Sequence, residues 1–310
     1  MLLKDLSTGD LSRLLARTGI HLDTGAFTTR LQSTIPDLAG PLVDLYGDYA
    51  IDVVPAIDDF RVRIGRPRGW RHTFSQAGQV YIDGLPSFPP FPRNLVFPML
   101  ESAMNWCIAK DVLRYLTFHS AAVARDGRAM MLAGASGSGK STLCAALAHS
   151  GWRLLSDELV LLRHDDGVIV ANPRPISLKN EAIGLISELA PDAHVGPPHH
   201  GTAKGTIAFL RAPSTALQQV KVPARPELII APSFRPGAST ELHEMGKAEG
   251  FMWLVENSVN YFSTMERGFD SLSALVDRCP VYRVFYSDLP EAVAALTELH
   301  QGLPRSDEAA

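Results

Sequence analysis

The chain has 310 residues, 46% hydrophobic and 20% charged, with 29 Lys and Arg against 33 Asp and Glu for a net charge of −4. That length holds one large domain or two smaller ones around a sizeable core. The balanced charge argues against a dedicated nucleic-acid binder, which concentrates positive charge, and no apolar run reaches the roughly 18–20 residues that a membrane-spanning helix needs.

The first residues lack the basic-then-apolar layout of a signal peptide. Cys107, Cys144 and Cys279 stand far apart without CxxC or CxxH spacing, which suits free thiols in a reducing compartment. A cytoplasmic protein is expected, with neither nucleic acid nor membrane as a partner. Along the chain, Leu2–Thr18 and Thr24–Leu38 read as two amphipathic helices, the second ended by Gly40. Strand texture follows at Ala50–Val54, Phe60–Ile64 and Gln79–Ile82. The cluster Ser87-Phe-Pro-Pro-Phe-Pro-Arg93 suits neither helix nor central strand. It predicts a boundary between a smaller N-terminal α+β region, residues 1–92, and a larger unit, residues 93–310. The N-terminal region would serve acceptor recognition or assembly.

Leu95–Leu116 is the longest helical pattern, with Met99, Leu100, Ala103, Met104 and Cys107 on an apolar face. Two apolar runs, Thr117–Ala124 and Arg128–Ala133, flank Asp126-Gly127, a strong hairpin signal. A helix from Lys140 to His149 follows, with Gly151 as its stop. Trp152–Leu155 and Leu159–Leu162 read as strands. Further on, helices at Lys247–Glu256, Phe269–Asp277 and Leu289–Gln301 alternate with strands at Leu228–Ile230 and Tyr282–Phe285. Asp288 with Glu291 marks the start of the last helix.

The segment that decides the chemistry is Gly134-Ala135-Ser136-Gly137-Ser138-Gly139-Lys140-Ser141-Thr142, a full match to G-x-x-x-x-G-K-[ST]. Glycines let successive N–H groups turn inward around an anion, and the following helix aims its positive end there. Lys140 would reach the β- and γ-phosphates and Ser141 would ligate Mg²⁺. An apolar strand before and an amphipathic helix after are the context such a loop requires. A nucleoside triphosphate, taken as ATP, is the expected ligand. The acidic pair Asp157-Glu158 ends the strand directly after the loop helix, and no LSGGQ-like segment intervenes, unlike transporter ATPases. The loop strand is also the second arm of a hairpin, so the sheet is expected to be partly antiparallel.

These residues resemble the HPr kinase/phosphorylase family, and within it the HPr-kinase-related kinases of type A. The likeness is carried by Leu100-Glu-Ser-Ala-Met-Asn-Trp-Cys-Ile108, Phe118-His119-Ser-Ala-Ala-Val123, the hairpin, the glycine loop, Gly151-Trp-Arg-Leu-Leu155 and Ser156-Asp157-Glu158. It implies an α/β P-loop kinase core with a mixed sheet of the HPr kinase/phosphoenolpyruvate carboxykinase type. It also implies Mg·ATP-dependent transfer to a serine (or threonine) hydroxyl of a protein or peptide, and self-association. By position Asp157 matches the family's catalytic aspartate, a base for the acceptor hydroxyl. Glu158 stands where the family has a second aspartate and becomes a Mg²⁺ ligand, and His119 matches the family's histidine. Lys140 completes the catalytic set.

Pro191–Thr206, rich in Gly, Pro and His, reads as a long irregular loop of the lid or acceptor kind. Lys204-Gly205 stands where the family carries an Arg-Gly signature, which weakens the case for a reverse phosphorylase reaction and for HPr itself as acceptor. Lys204, Lys179 and Arg235 are candidate phosphate or acceptor contacts. His194, His199 and His200 lack a companion ligand at zinc spacing. The same loop also admits a small-molecule hydroxyl kinase or a nucleotide-binding regulatory ATPase.

Overall fold

The structure is a computed structural model and describes residues 1–54, 57–68 and 76–304. In chain order its first elements are α1 (Thr8–Ala16), β1 (Ile20–Asp23), β2 (Thr28–Ser33), α2 (Ala39–Tyr46), β3 (Ile51–Asp52), β4 (Phe60–Gly65), β5 (Gln79–Ile82), β6 (Leu85–Pro86) and α3 (Val96–Asp111). The middle of the chain gives β7 (Tyr115–Phe118), β8 (Ser120–Arg125), β9 (Arg128–Ala133), α4 (Lys140–His149), β10 (Arg153–Ser156), β11 (Val160–Arg163), β12 (Ile169–Val170), β13 (Ile176–Lys179) and α5 (Glu181–Leu189). The remainder is β14 (His199–Thr202), β15 (Gly205–Leu210), α6 (Ser214–Gln218), β16 (Arg225–Phe234), β17 (Glu241–Met245), α7 (Lys247–Glu256), α8 (Tyr261–Arg278), β18 (Val281–Tyr286) and α9 (Leu289–Gly302). The fold is mixed α/β, and no helix among the described residues is long and apolar enough to cross a membrane.

Contacts gather the chain into two compact units. Unit 1 takes Met1–Val112, Asn172–Ser187 and Asp192–Val220, and unit 2 takes Leu113–Ala171, Glu188–Pro191 and Lys221–Ala310. The division expected at 92/93 therefore falls inside unit 1. Helix α3 packs on β4 and β5 of that unit, and the chain returns to it at Asn172. Its buried Glu101 on α3 accepts from the Tyr46 hydroxyl at 2.5 Å and lies 3.4 Å from Arg174 Nη1. Thr24 donates to Asn172 Oδ1 at 2.7 Å, so the returning segment is tied in by polar groups that burial obliges to pair.

Several expectations of the sequence are corrected. Thr24–Leu38 is not a helix: Gly25 turns at φ 103°, and Thr28–Ser33 is strand β2, alternating half-buried and buried side chains. Its period is two, and its two threonines favour strand. Gly40 accordingly ends nothing, being inside α2. The helix read from Leu2 starts only at Thr8, where the Ser7 hydroxyl accepts from Asp10 N at 3.1 Å. Helix α3 stops at Asp111 because Leu116 is drawn into β7, opposite Leu162 of β11. The Pro191–Thr206 segment is likewise more ordered than expected, since His199–Thr202 and Gly205–Leu210 pair as a hairpin within the sheet β13-β15-β14.

Unit 2 centres on a six-stranded sheet of order β10-β8-β9-β16-β18-β17. Asp126 and Gly127, at φ 53° and 78°, close the β8–β9 hairpin with the left-handed angles of a type I′ turn. Both β9 and β10 run antiparallel to β8, and β16 runs parallel to β9 and β18. The C-terminal ends of β9, β10, β16 and β18 thus reach the same edge of the sheet. A second sheet, β12-β11-β7, shares its core, where Phe118 and Val160 join Met131, Leu155, Ile229, Leu254 and Leu272.

Candidate functional site

The edge just defined collects the chemistry-bearing residues of unit 2. At the end of β9 the chain enters the glycine loop, with Gly137 at φ 86° and Gly139 at φ 96°, angles that glycine adopts without strain. Gly139 is the N-cap of α4, and no side chain caps that helix. Its first-turn N–H groups and positive dipole end are left for an anion. A Cβ at Gly139 would come within 2.2 Å of the Tyr286 hydroxyl, so the approach tolerates only glycine.

Lys140 is buried, and its Nζ donates to Gly134 O and, at 2.9 Å, to Ala135 O. The ammonium is thereby held within the loop it would serve. The loop backbone is braced from three strands or helices. Phe234 N at the end of β16 donates to Ser138 O at 3.2 Å, the Tyr286 hydroxyl at the end of β18 donates to Gly139 O at 3.3 Å, and Trp253 Nε1 on α7 donates to Ala133 O at 3.2 Å. Ser138 Oγ is buried with no hydrogen-bond partner. An orphaned hydroxyl, uncapped helix amides and a glycine cradle are what a phosphate group would satisfy. Ser136 is exposed, while Ser141 and Thr142 are half-buried on the first turn of α4.

Asp157 follows β10 and is 5% exposed. Its neighbourhood is fixed by Cys144, one turn into α4 beyond Lys140. The Cys144 thiol lies 3.9 Å from Ser156 O, and its pKa is pushed well up, first by burial and then by the Asp157 charge. Asp157 therefore directly follows a backbone carbonyl that touches the loop helix. Such a thiol is not a nucleophile at neutral pH.

His119 and Glu158 meet because two connections bend at one corner. The chain crosses between the two sheets of unit 2 from β7 to β8 through His119, and from β10 to β11 through Asp157–Leu159. Phe118 pairs with Val160 and Ala122 with Ser156, so the crossings lie side by side. Glu158 takes φ 82°, a left-handed angle that costs a non-glycine residue free energy and often marks functional sites. Its carboxylate stands 3.7 Å from His119 Nδ1. His119 N is fixed by donation to Asn257 O at 2.8 Å.

Of the cationic candidates, Arg235 follows β16 at this edge, exposed, with its guanidinium 3.6 Å from the centre of the Phe285 ring. Lys179 ends β13 and Lys204 stands in the turn between β14 and β15, both in unit 1 rather than in the unit carrying the loop. The histidines of that segment are engaged separately: His194 with Asp44 at 2.7 Å, His199 with Asn94 O at 2.9 Å and His200 with Thr206 at 3.1 Å. No group of His, Cys, Asp and Glu fit to hold a metal ion occurs among the described residues. Sequence reading missed Tyr286, Trp253, Phe234 and Asn257. Each reaches the loop or His119 from a distant stretch of chain; the helix read at Lys247–Glu256 and the strand at Tyr282–Phe285 indicated elements there but not what they would touch.

Comparison with known proteins adds two likenesses. A family model described as "SynChlorMet cassette protein ScmC" matches residues 94–179, a stretch that holds the whole loop, His119 and Asp157-Glu158 but less than half the chain. A search of curated proteins returns no match. Among solved structures, the chain is similar to the "Hpr(Ser) kinase/phosphatase from Coxiella burnetii" at 14% identity, over 60% of this chain and 97% of that one, with a TM-score of 0.28.

Proposed function

We propose that the chain is a Mg·ATP-dependent phosphotransferase that moves the γ-phosphoryl group to a serine or threonine hydroxyl of a protein or peptide acceptor. The observation that carries this reading is the convergence, on one sheet edge, of an anion-accepting glycine loop, its buried Lys140 and the buried carboxylate of Asp157. The sequence resemblance to HPr-kinase-related kinases supports it independently of the geometry.

Phosphoryl transfer asks a protein chiefly for positioning and charge neutralisation. The loop amides and Lys140 take the β- and γ-phosphate charge. Asp157 accepts the proton of the attacking hydroxyl as its oxygen bonds to phosphorus and the bridging oxygen leaves with ADP. Ser141 and Glu158 would hold Mg²⁺ through oxygen, the donor type it prefers, and the ion would supply charge neutralisation to the nucleotide's phosphates. Glu158 also meets His119, which holds or passes a proton at the same corner. Arg235 is the proposed cation for the transferred phosphate or the acceptor.

Incubation with γ-labelled ATP, Mg²⁺ and either a protein lysate or candidate metabolites tests the reading. Label is expected in a polypeptide. Label in small molecules alone, or free phosphate alone, would replace it with a metabolite kinase or a regulatory ATPase. Asp157→Asn is expected to keep nucleotide binding and lose transfer by about 10²–10⁴-fold, and Lys140→Ala to weaken both. Transfer undiminished in Asp157→Asn removes the base assignment.

A further inference from the structure

The apolar stripe of α8 outruns the core that covers it. Leu272, Leu275 and Val276 are buried in the core of unit 2, whereas Phe262, Met265 and Phe269 are 80%, 78% and 53% exposed. These three would share one face of a regular helix, and Met265 turns the first part of α8 away from regularity at φ 50°, ψ −126°. A chain of rings joins the exposed groups: Phe262 to Tyr261 at 5.3 Å, Tyr261 to Phe251 at 6.2 Å, and Phe251 to Phe269 at 5.6 Å. Phe251 and Tyr261 are themselves packed on the core, so the patch has a fixed floor.

The patch is bound to the candidate site through backbone. Trp253 of α7 holds Ala133 O, Asn257 holds His119 N, and Asn260, the N-cap of α8, accepts from Thr117 N at 2.9 Å. Its surrounding charge is negative. Glu256, Glu266 and Asp270 are exposed and take part in no ion pair among the described residues. The nearby cations are already engaged, Lys247 with Asp277 at 2.7 Å and Arg267 with Asp165 at 3.6 Å.

We infer that this surface docks the acceptor polypeptide, through a segment that carries aromatic or aliphatic side chains next to lysine or arginine. The inference rests on the phosphotransferase reading above. Apolar burial on Phe262, Met265 and Phe269 supplies affinity, and the unpaired carboxylates select basic neighbours and speed encounter. An exposed apolar surface beside a catalytic edge is otherwise an aggregation liability.

Three synthetic serine peptides test this against the full chain by fluorescence anisotropy. One carries Phe and Leu beside two Lys, the second has Glu for Lys, and the third has Ser for Phe and Leu. The first is expected to bind at least about tenfold more tightly than the others, and to lose about as much on the double variant Phe262→Ser, Met265→Ser and on Glu266→Lys, Asp270→Lys. Binding of a fluorescent ATP analogue should not change in either variant. The proposal is overturned by equal binding of the three peptides, by no binding of any, or by variants that bind as the parent does. It is equally overturned if the variants lose sedimentation with phosphatidylserine vesicles or change oligomeric mass instead, since the surface would then serve lipid or a second copy. Peptide binding is read without turnover. A peptide that binds but takes no label from ATP therefore removes the transferase reading alone, and labelling indifferent to the patch removes only the docking surface.

Discussion

Gly139 shows how narrow the tolerances are for a single residue. It combines a left-handed φ of 96° with the Tyr286 hydroxyl 2.2 Å from where a Cβ would stand. Gly139→Ala is therefore expected to cost about 1–3 kcal/mol in backbone strain and to abolish binding of a fluorescent ATP analogue. Adding Tyr286→Phe removes the clash with the hydroxyl but not the strain, so thermal stability should recover only in part. The reverse outcome, full recovery of both, would mean that the backbone angle carries no cost. Loop residues of this kind were legible in the sequence because Gly134–Thr142 is a contiguous pattern whose spacing is its own signal. The Tyr286 hydroxyl, the Trp253 indole and the orphaned Ser138 hydroxyl were not, because each matters through a contact that no local spacing encodes.

Elements were read best where their ends are chemically marked. Asp126-Gly127 gave the β8–β9 hairpin, and Lys140–His149 gave α4 to the residue. That helix closes with Gly151 at φ 87° and Trp152 N donating to Leu147 O at 3.2 Å, a Schellman arrangement. Asp288 caps α9 by accepting from Glu291 N at 2.8 Å, as the sequence indicated. Asp288→Ala is expected to lower unfolding stability by about 1 kcal/mol in urea titration, with little change in nucleotide binding. Stretches without marked ends went astray. Thr28–Ser33 offers apolar Leu31 among polar residues, and only pairing with β1 and β4 settles that its period is two. The end of α3 depends on β11 claiming Leu116, a partner far along the chain.

Across the molecule, three histidines with a buried ring nitrogen set a common response to acid. His149, His164 and His300 each carry a ring Nε2 that is buried without a hydrogen-bond partner. Burial lowers all three pKa values, that of His300 to about 4. The unfolded chain takes up these protons near the ordinary value of 6.5, before the folded one does. Stability is therefore held above that value and lost as pH falls through the window toward about 4. Thermal melts are expected to show Tm falling from neutrality to about pH 5, and His300→Gln, which cannot titrate beside the Trp152 ring, should flatten the slope. A Tm independent of pH over that interval would contradict this.

The discontinuity of unit 1 bears on how the protein is made. Glu101 leaves the ribosome well before Arg174, its buried counter-ion, and Asp48 well before Arg211, which it meets at 2.7 Å. The nascent chain must carry an unfinished N-terminal body, with a carboxylate awaiting its partner, through the synthesis of the loop strand, α4 and Asp157. The candidate site is thus translated inside an interval during which the other body cannot close. Any fragment that stops short of the returning segment ends with that body incomplete.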